Sequence, residues 1–150
     1  AGANIALACD IVVASEKASF IQAFSKIGLV PDSAGSFFLP RLIGFQKASA
    51  LMLLGDKVGA VQAQELGMVY KVFDPETFQQ QVFSLAHDMA QMPTKALGLT
   101  KQLLNASFNN TLEQQLALES NLQIQAANSN DYKEGVTAFV EKRKPNFKGN

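Results

Sequence analysis

From Asp74-Pro75 onward the chain contains no stretch suited to a strand, and before that point only short ones occur. This asymmetry limits the possible folds more than any other feature. Asp10-Ile11-Val12-Val13-Ala14-Ser15 is rich in β-branched residues and suits a buried strand. Ala18-Ser19-Phe20-Ile21 and the stretch from Met68 to Phe73 suggest two more. Two or three such strands cannot form a full sheet alone, because their edges stay unpaired. The chain also opens on Ala1-Gly2-Ala3-Asn4 and runs straight into an apolar segment, without a Met. The expectation is an excerpt of a longer chain whose preceding portion supplies the rest of the sheet.

Helical signals fill the remainder. Residues 2–9 (GANIALAC) suit a buried helix. Gly28 to Gly35 reads as a loop, followed by a helix from about Ser33 to Ile43 closed by Gly44. Another helix runs to Leu54 with Gly55-Asp56 as its stop, and a short one covers Val61 to Leu66 before Gly67. Asp74-Pro75 has the form of a helix start, with Pro at the first helical position. Phe78, Val82, Leu85 and Met89 then share one face, and after Pro93 so do Ala96, Leu99, Leu103 and Ala106. Thr111-Leu112-Glu113-Gln114 has the pattern of a capping box. A last helix from about Tyr132 is expected to bury Val136, Phe139 and Val140 and to end in Lys142-Arg143-Lys144 before Pro145. The expected organisation is an α/β part over 1–73 and a helical part over 74–150.

Charge and composition remove several classes of function. Thirteen basic and thirteen acidic residues cancel, so no global field draws the chain to nucleic acid or a membrane surface. An anionic ligand would need a local cluster. The single cysteine, Cys9, lies in an apolar run and is expected to be buried and inert. It excludes a disulfide framework and a cysteine metal site. His87, the one histidine, falls on a polar helix face beside Asp88, so a histidine-rich metal centre is also excluded. No leader and no apolar run long enough to span a bilayer is seen, and the expectation is a soluble, cytoplasmic protein.

Four segments carry a family resemblance in their order and spacing: AGANIALACDIVVAS, FSKIGLVPDSAG with FFLPRLIG, LMLLGDKVGAVQAQELGMVYKVF, and DYKEGVTAFVEKRKPNF. Together they are similar to the C-terminal part of the crotonase (enoyl-CoA hydratase/isomerase) superfamily. SFIQAFSKIGLVPDS and LNASFNNTLEQQLALE most resemble its branch of isomerases from phenylacetate degradation. The resemblance implies an α/β fold with a spiral ββα core, present here in its C-terminal part, and a helical region that packs trimers or dimers of trimers. It implies an acyl-CoA substrate and no metal or redox cofactor.

In that family an enolate-like thioester oxygen is held by two backbone N–H groups, each typically contributing about 100- to 1,000-fold in rate. The resemblance places one donor in the Ala1-Gly2 turn, where the free N–H groups of a helix start converge. The other belongs to the preceding portion. Ala1-Gly2-Ala3 also reads as a tightly packed helix start and no more. Hydratases of the family use two glutamates, and the matching positions here are Asn4 and Phe24, neither of which transfers a proton at neutral pH. An isomerase needs one carboxylate, and Asp32 occupies the loop where several family isomerases carry theirs. Asp32 equally suits a helix N-cap, with Ser33 able to take that role instead.

Phe20, Phe24, Phe37 and Phe38 suggest either plain core or an apolar pocket that desolvates Asp32; Phe24, with Asn4, is assigned to the substrate pocket. The resemblance further assigns Phe139 and Lys142 to the adenine-ribose end of CoA bound in a neighbouring subunit, against the simpler reading of a solvated helix end. Three functions stay open at this point. They are an isomerase using Asp32, a hydratase or thioesterase using another acid, and a silent fragment that folds and assembles through its helices.

Overall fold

A computed structural model describes residues 1–150. The chain divides into two compact units, Ala1–Val82 and Phe83–Asn150. No helix is long and apolar enough to cross a membrane.

The first unit begins with α1 (Gly2–Leu7), β1 (Val13–Ser15) and β2 (Ser19–Ile21), then a 3₁₀ turn over Ala23–Ile27. It continues through α2 (Gly35–Ile43), α3 (Phe45–Leu54), β3 (Lys57–Gly59), α4 (Ala60–Leu66) and β4 (Lys71–Phe73). The strands form two pairs instead of one sheet. β1 lies parallel to β4, with Val13 opposite Lys71, and β2 lies antiparallel to β3, with Phe20 opposite Val58. Each strand has only three residues. Asp10–Val12 and Met68–Tyr70, read as strand from sequence, instead lead into their strands without pairing along their whole length. Met68 and Val69 are nonetheless buried, so burial and not pairing explains their apolar character.

Leu7, Phe20, Leu39, Ile43, Ala48 and Val58 belong to one apolar core. It brings α1, α2, α3 and the β2–β3 pair together. The small residues Ala48, Ala60 and Ala63 are almost fully buried, which lets helices and strands approach closely. Cys9 corrects an expectation. α1 stops at Leu7, so Cys9 falls in the following turn and is exposed, its Sγ 3.6 Å from the Ile5 carbonyl. Asp74-Pro75 does not start a helix either. The Asp74 carboxylate accepts from the Glu76 N–H at 2.7 Å, forming a turn, and α5 (Phe78–Ala90) begins only afterward.

In the second unit, the end of α5 is followed by α6 (Thr94–Ala106), α7 (Leu112–Ala127) and α8 (Asn130–Val140). The helical faces read from sequence are those the structure covers: Phe78, Val82, Leu85 and Met89 on α5, and Ala96, Leu99, Leu103 and Ala106 on α6, are all partly buried. His87 is exposed. α7 opens with a complete capping box. Thr111 Oγ1 accepts from Gln114 N at 3.3 Å, and Gln114 Oε1 accepts from Thr111 N at 2.9 Å.

α8 departs from expectation. Val136, Phe139 and Val140 are 47%, 85% and 73% exposed, whereas Ala138 and Asp131 are buried. The helix turns its small residue and one acid inward and leaves its large apolar side chains uncovered within this chain.

Candidate active site

The residues assigned to proton transfer and oxyanion binding all lie in the first unit. Ala1 precedes α1 with no capping side chain, so the first N–H groups of that short helix are not used by a cap. A Cβ built at Gly2 would meet nothing, leaving open space over the turn. Asp32 Oδ1 lies 3.9 Å from the Ala1 nitrogen. Its side chain is 58% exposed.

Asp32 does not cap α2. The N-cap position is Ala34, in a left-handed conformation with no side-chain hydrogen bond, so neither Asp32 nor Ser33 serves as the cap. The Asp32 carbonyl accepts from the Gly35 N–H at 2.9 Å instead. Its carboxylate is left free of the helix start. Ser33 and Ala34 follow with φ of 49° and 59°, a region that costs about 1 kcal/mol or more for non-glycine residues.

Asn4 and Phe24 have different fates. Asn4 is 1% exposed, and both ends of its amide are engaged within the protein. Within this chain it is a buried support for the Asp32 loop. Phe24 is half-buried and, with Ala1, Ile21, Ala23 and Ile27, lines an apolar recess of about 200 Å³. The four phenylalanines do not enclose Asp32. Phe20 is in the core, while Phe37 packs edge-on against Phe38 and beneath the Arg41 guanidinium, 3.7 Å from the ring centre. Gln22, which sequence reasoning does not single out, is 3% exposed and donates to Asn4. A polar residue one step beyond a three-residue strand carries no periodic signal that would mark it.

Phe139 and Lys142 lie in the second unit, at the end of α8. Lys142 adopts φ 54°; its N–H donates to the Phe139 carbonyl at 3.3 Å, and that of Arg143 to Ala138 at 3.0 Å. This is the paired closure in which glycine normally holds the left-handed position. Of the basic run, Arg143 is committed internally. It makes a two-pronged contact to Glu134 at 2.6 and 2.9 Å and a third to Glu141 at 2.6 Å. Glu134 also accepts from the Asn146 N–H at 2.8 Å. The Asp131 carboxylate accepts from the N–H groups of Lys148 and Gly149 at 2.7 and 2.8 Å. The tail is thus fastened to α8 by two acids.

The hydrogen bond from Arg143, then that from Asn146, holds Glu134 well below its ordinary 4.5, at about 2, against an opposing desolvation. Because the folded value is the lower one, the anchoring is complete above 4.5 and is lost as pH falls through about 2. In an NMR titration the Asn146 amide resonance should move over that window and stay still in E134Q. An Asn146 amide insensitive to acid would remove Glu134 from this role.

The enoyl-CoA hydratase/isomerase family model matches residues 1–150. The chain is 48% identical over 149 residues to 1,2-epoxyphenylacetyl-CoA isomerase of Escherichia coli (strain K12), covering 99% of this chain and 57% of that protein. It is 41% identical to a probable enoyl-CoA hydratase of Rhodobacter capsulatus, covering 99% of this chain and 58% of the relative. Among solved structures, a putative enoyl-CoA hydratase/isomerase from Mycobacterium abscessus superposes with a TM-score of 0.96 at 39% identity, over 99% of this chain and 57% of that one. The chain therefore spans a little over half the length of the proteins it matches, and its α/β architecture is that of the crotonase fold. On the match along its whole length, the chain belongs to the enoyl-CoA hydratase/isomerase family.

Proposed function

We propose that this chain carries the proton-transfer half of a cytoplasmic acyl-CoA isomerase, acting on 1,2-epoxyphenylacetyl-CoA or a related thioester, within a trimer or dimer of trimers. The observation that carries the reading is the Asp32 carboxylate, free of any cap on α2 and more than half exposed beside the Ala1-Gly2 turn. The N–H groups of the Ala1-Gly2 turn would hold the thioester oxygen while charge develops there. On a 3-enoyl thioester, Asp32 removes a proton from C2, the double bond moves into conjugation, and the same carboxyl returns the proton to C4. Hydrogen is conserved and water takes no part.

The positions that carry glutamates in family hydratases support one acid over two. Asn4 is buried with its amide engaged, and Phe24 is apolar. Phe24 and its neighbours would form one wall for an aromatic or oxepin ring. Phe139 and Lys142 would contact CoA held by a neighbouring subunit.

The test is isotopic. In water enriched in ¹⁸O, the full-length polypeptide containing this sequence should convert 3-enoyl-CoA to 2-enoyl-CoA with no label in the product. Labelled 3-hydroxyacyl-CoA would establish hydration, and labelled free acid would establish thioester hydrolysis. Either result would replace the isomerase reading.

A further inference from the structure

The buried amides beneath Asp32 have an arrangement that packing alone does not require. Gln22 Nε2 donates to Asn4 Oδ1 at 2.6 Å, and Asn4 Nδ2 donates to the Asp32 carbonyl at 2.9 Å. Gln22 and Asn4 are 3% and 1% exposed. The relay leaves Gln22 Oε1 buried with no partner, a condition that ordinarily costs about 1–3 kcal/mol. An apolar residue of the same shape would remove that orphan but leave the buried Asn4 Oδ1 unpaired in its place, so the glutamine is tied to the Asn4 amide and not to a net gain in packing.

The geometry on the other side of Asn4 is equally restrictive. A Cβ at Gly35 would fall under 3.0 Å from three atoms of the Asn4 amide. That amide is bonded at both ends and cannot swing aside cheaply. Gly35 also donates its own N–H to the Asp32 carbonyl. The carbonyl thus receives two donors, one from the helix start and one from the relay, immediately before two residues in the left-handed region. Together these contacts hold the peptide plane that follows Asp32, and with it the Asp32 Cα from which the carboxylate projects.

We infer that Gln22 and Asn4 are positioning residues: their amide relay sets the Asp32 backbone so that its carboxylate is aimed across the start of α1. This rests on Asp32 being the proton carrier. At the site where hydratases hold an acid, this chain would then use an amide to aim the remaining one.

Three substitutions in the full-length polypeptide test the inference. Asn4→Asp keeps the acceptor for Gln22 and removes the donor to Asp32. Gly35→Ala removes no hydrogen-bonding group but displaces the Asn4 amide. Gln22→Met keeps length, removes the donor to Asn4, and exchanges the orphaned Gln22 oxygen for an unpaired Asn4 Oδ1, so its net cost in stability should be small and the protein should fold. Each should lower kcat for isomerisation by about 10- to 100-fold, the scale expected when a catalytic group is slightly misplaced, while KM changes less than about twofold. In an Asp32→Asn background the same substitutions should have no additional effect on kcat, because they act through Asp32.

Folded Gln22→Met protein with unchanged kcat, alongside a crippled Asp32→Asn variant, would overturn the inference and leave Asp32 in place. Additive losses in the Asp32→Asn background would likewise overturn it, since they would mark a role independent of Asp32. Full activity of Asp32→Asn would overturn the assignment of Asp32 itself, and the inference with it.

Discussion

Asp32→Asn in the full-length polypeptide should reduce 3-enoyl-CoA to 2-enoyl-CoA conversion by about 10²- to 10⁴-fold, the range typical of a positioned general acid–base group. The substitution is nearly isosteric. It preserves the main-chain carbonyl that receives the Asn4 and Gly35 donors, so the loop should keep its shape. What it removes is the carboxylate adjacent to the Ala1 turn. Asparagine can neither accept the C2 proton nor deliver one to C4. Because the thioester would be held elsewhere, KM should change far less than kcat. Thermal unfolding should be almost unaffected, since Asp32 caps nothing and is more than half exposed. Wild-type turnover in a folded Asp32→Asn protein would eliminate the proposed chemistry.

The largest effect on stability should come from Leu39→Ala. Leu39 is fully buried on α2 and belongs to the core with Leu7, Ile43, Ala48 and Val58. Its loss removes the transfer free energy of the side chain and leaves a cavity that stiff neighbours cannot close, about 2–5 kcal/mol in comparable cores. Against a total of about 5–15 kcal/mol for an ordinary domain, this is a large share. In urea the unfolding midpoint should fall by about 1 M or more, using typical slopes for small proteins. Leu42→Ala, three residues along the same helix but 43% exposed, is the control and should change the midpoint little. Equal midpoints for Leu39→Ala and wild type would show that α2 does not hold this core together.

Features governed by neighbours along the chain are legible in the sequence itself. The α5 and α6 faces follow from the 3.6-residue repeat, and the α7 cap needs only residues 111 to 114. The β3 strand escapes such a reading because Lys57-Val58-Gly59 has one apolar residue, and its identity as strand comes from β2 across the ladder. On α8, periodicity correctly finds an apolar stripe of Val136, Phe139 and Val140 but contains no information about what covers it. Asp131 shows the converse. An acid in a first helical turn reads as solvated, yet the tail curls back and supplies two N–H donors that make its burial tolerable. Of the proposed site, Asp32 stands out in the sequence by its loop and family position. Gln22 cannot, because its role depends on a buried partner eighteen positions away.

The parallel pairing of β1 with β4 also bears on synthesis. Val13 meets Lys71 only after everything between them has been made, so this ladder cannot close while the chain is still short. The antiparallel β2–β3 pair and helices α2 to α4 can assemble earlier, because their contacts are nearer in sequence. On the ribosome, then, β1 must wait for β4 to emerge, and the edge that β4 covers stays open to foreign partners during that interval.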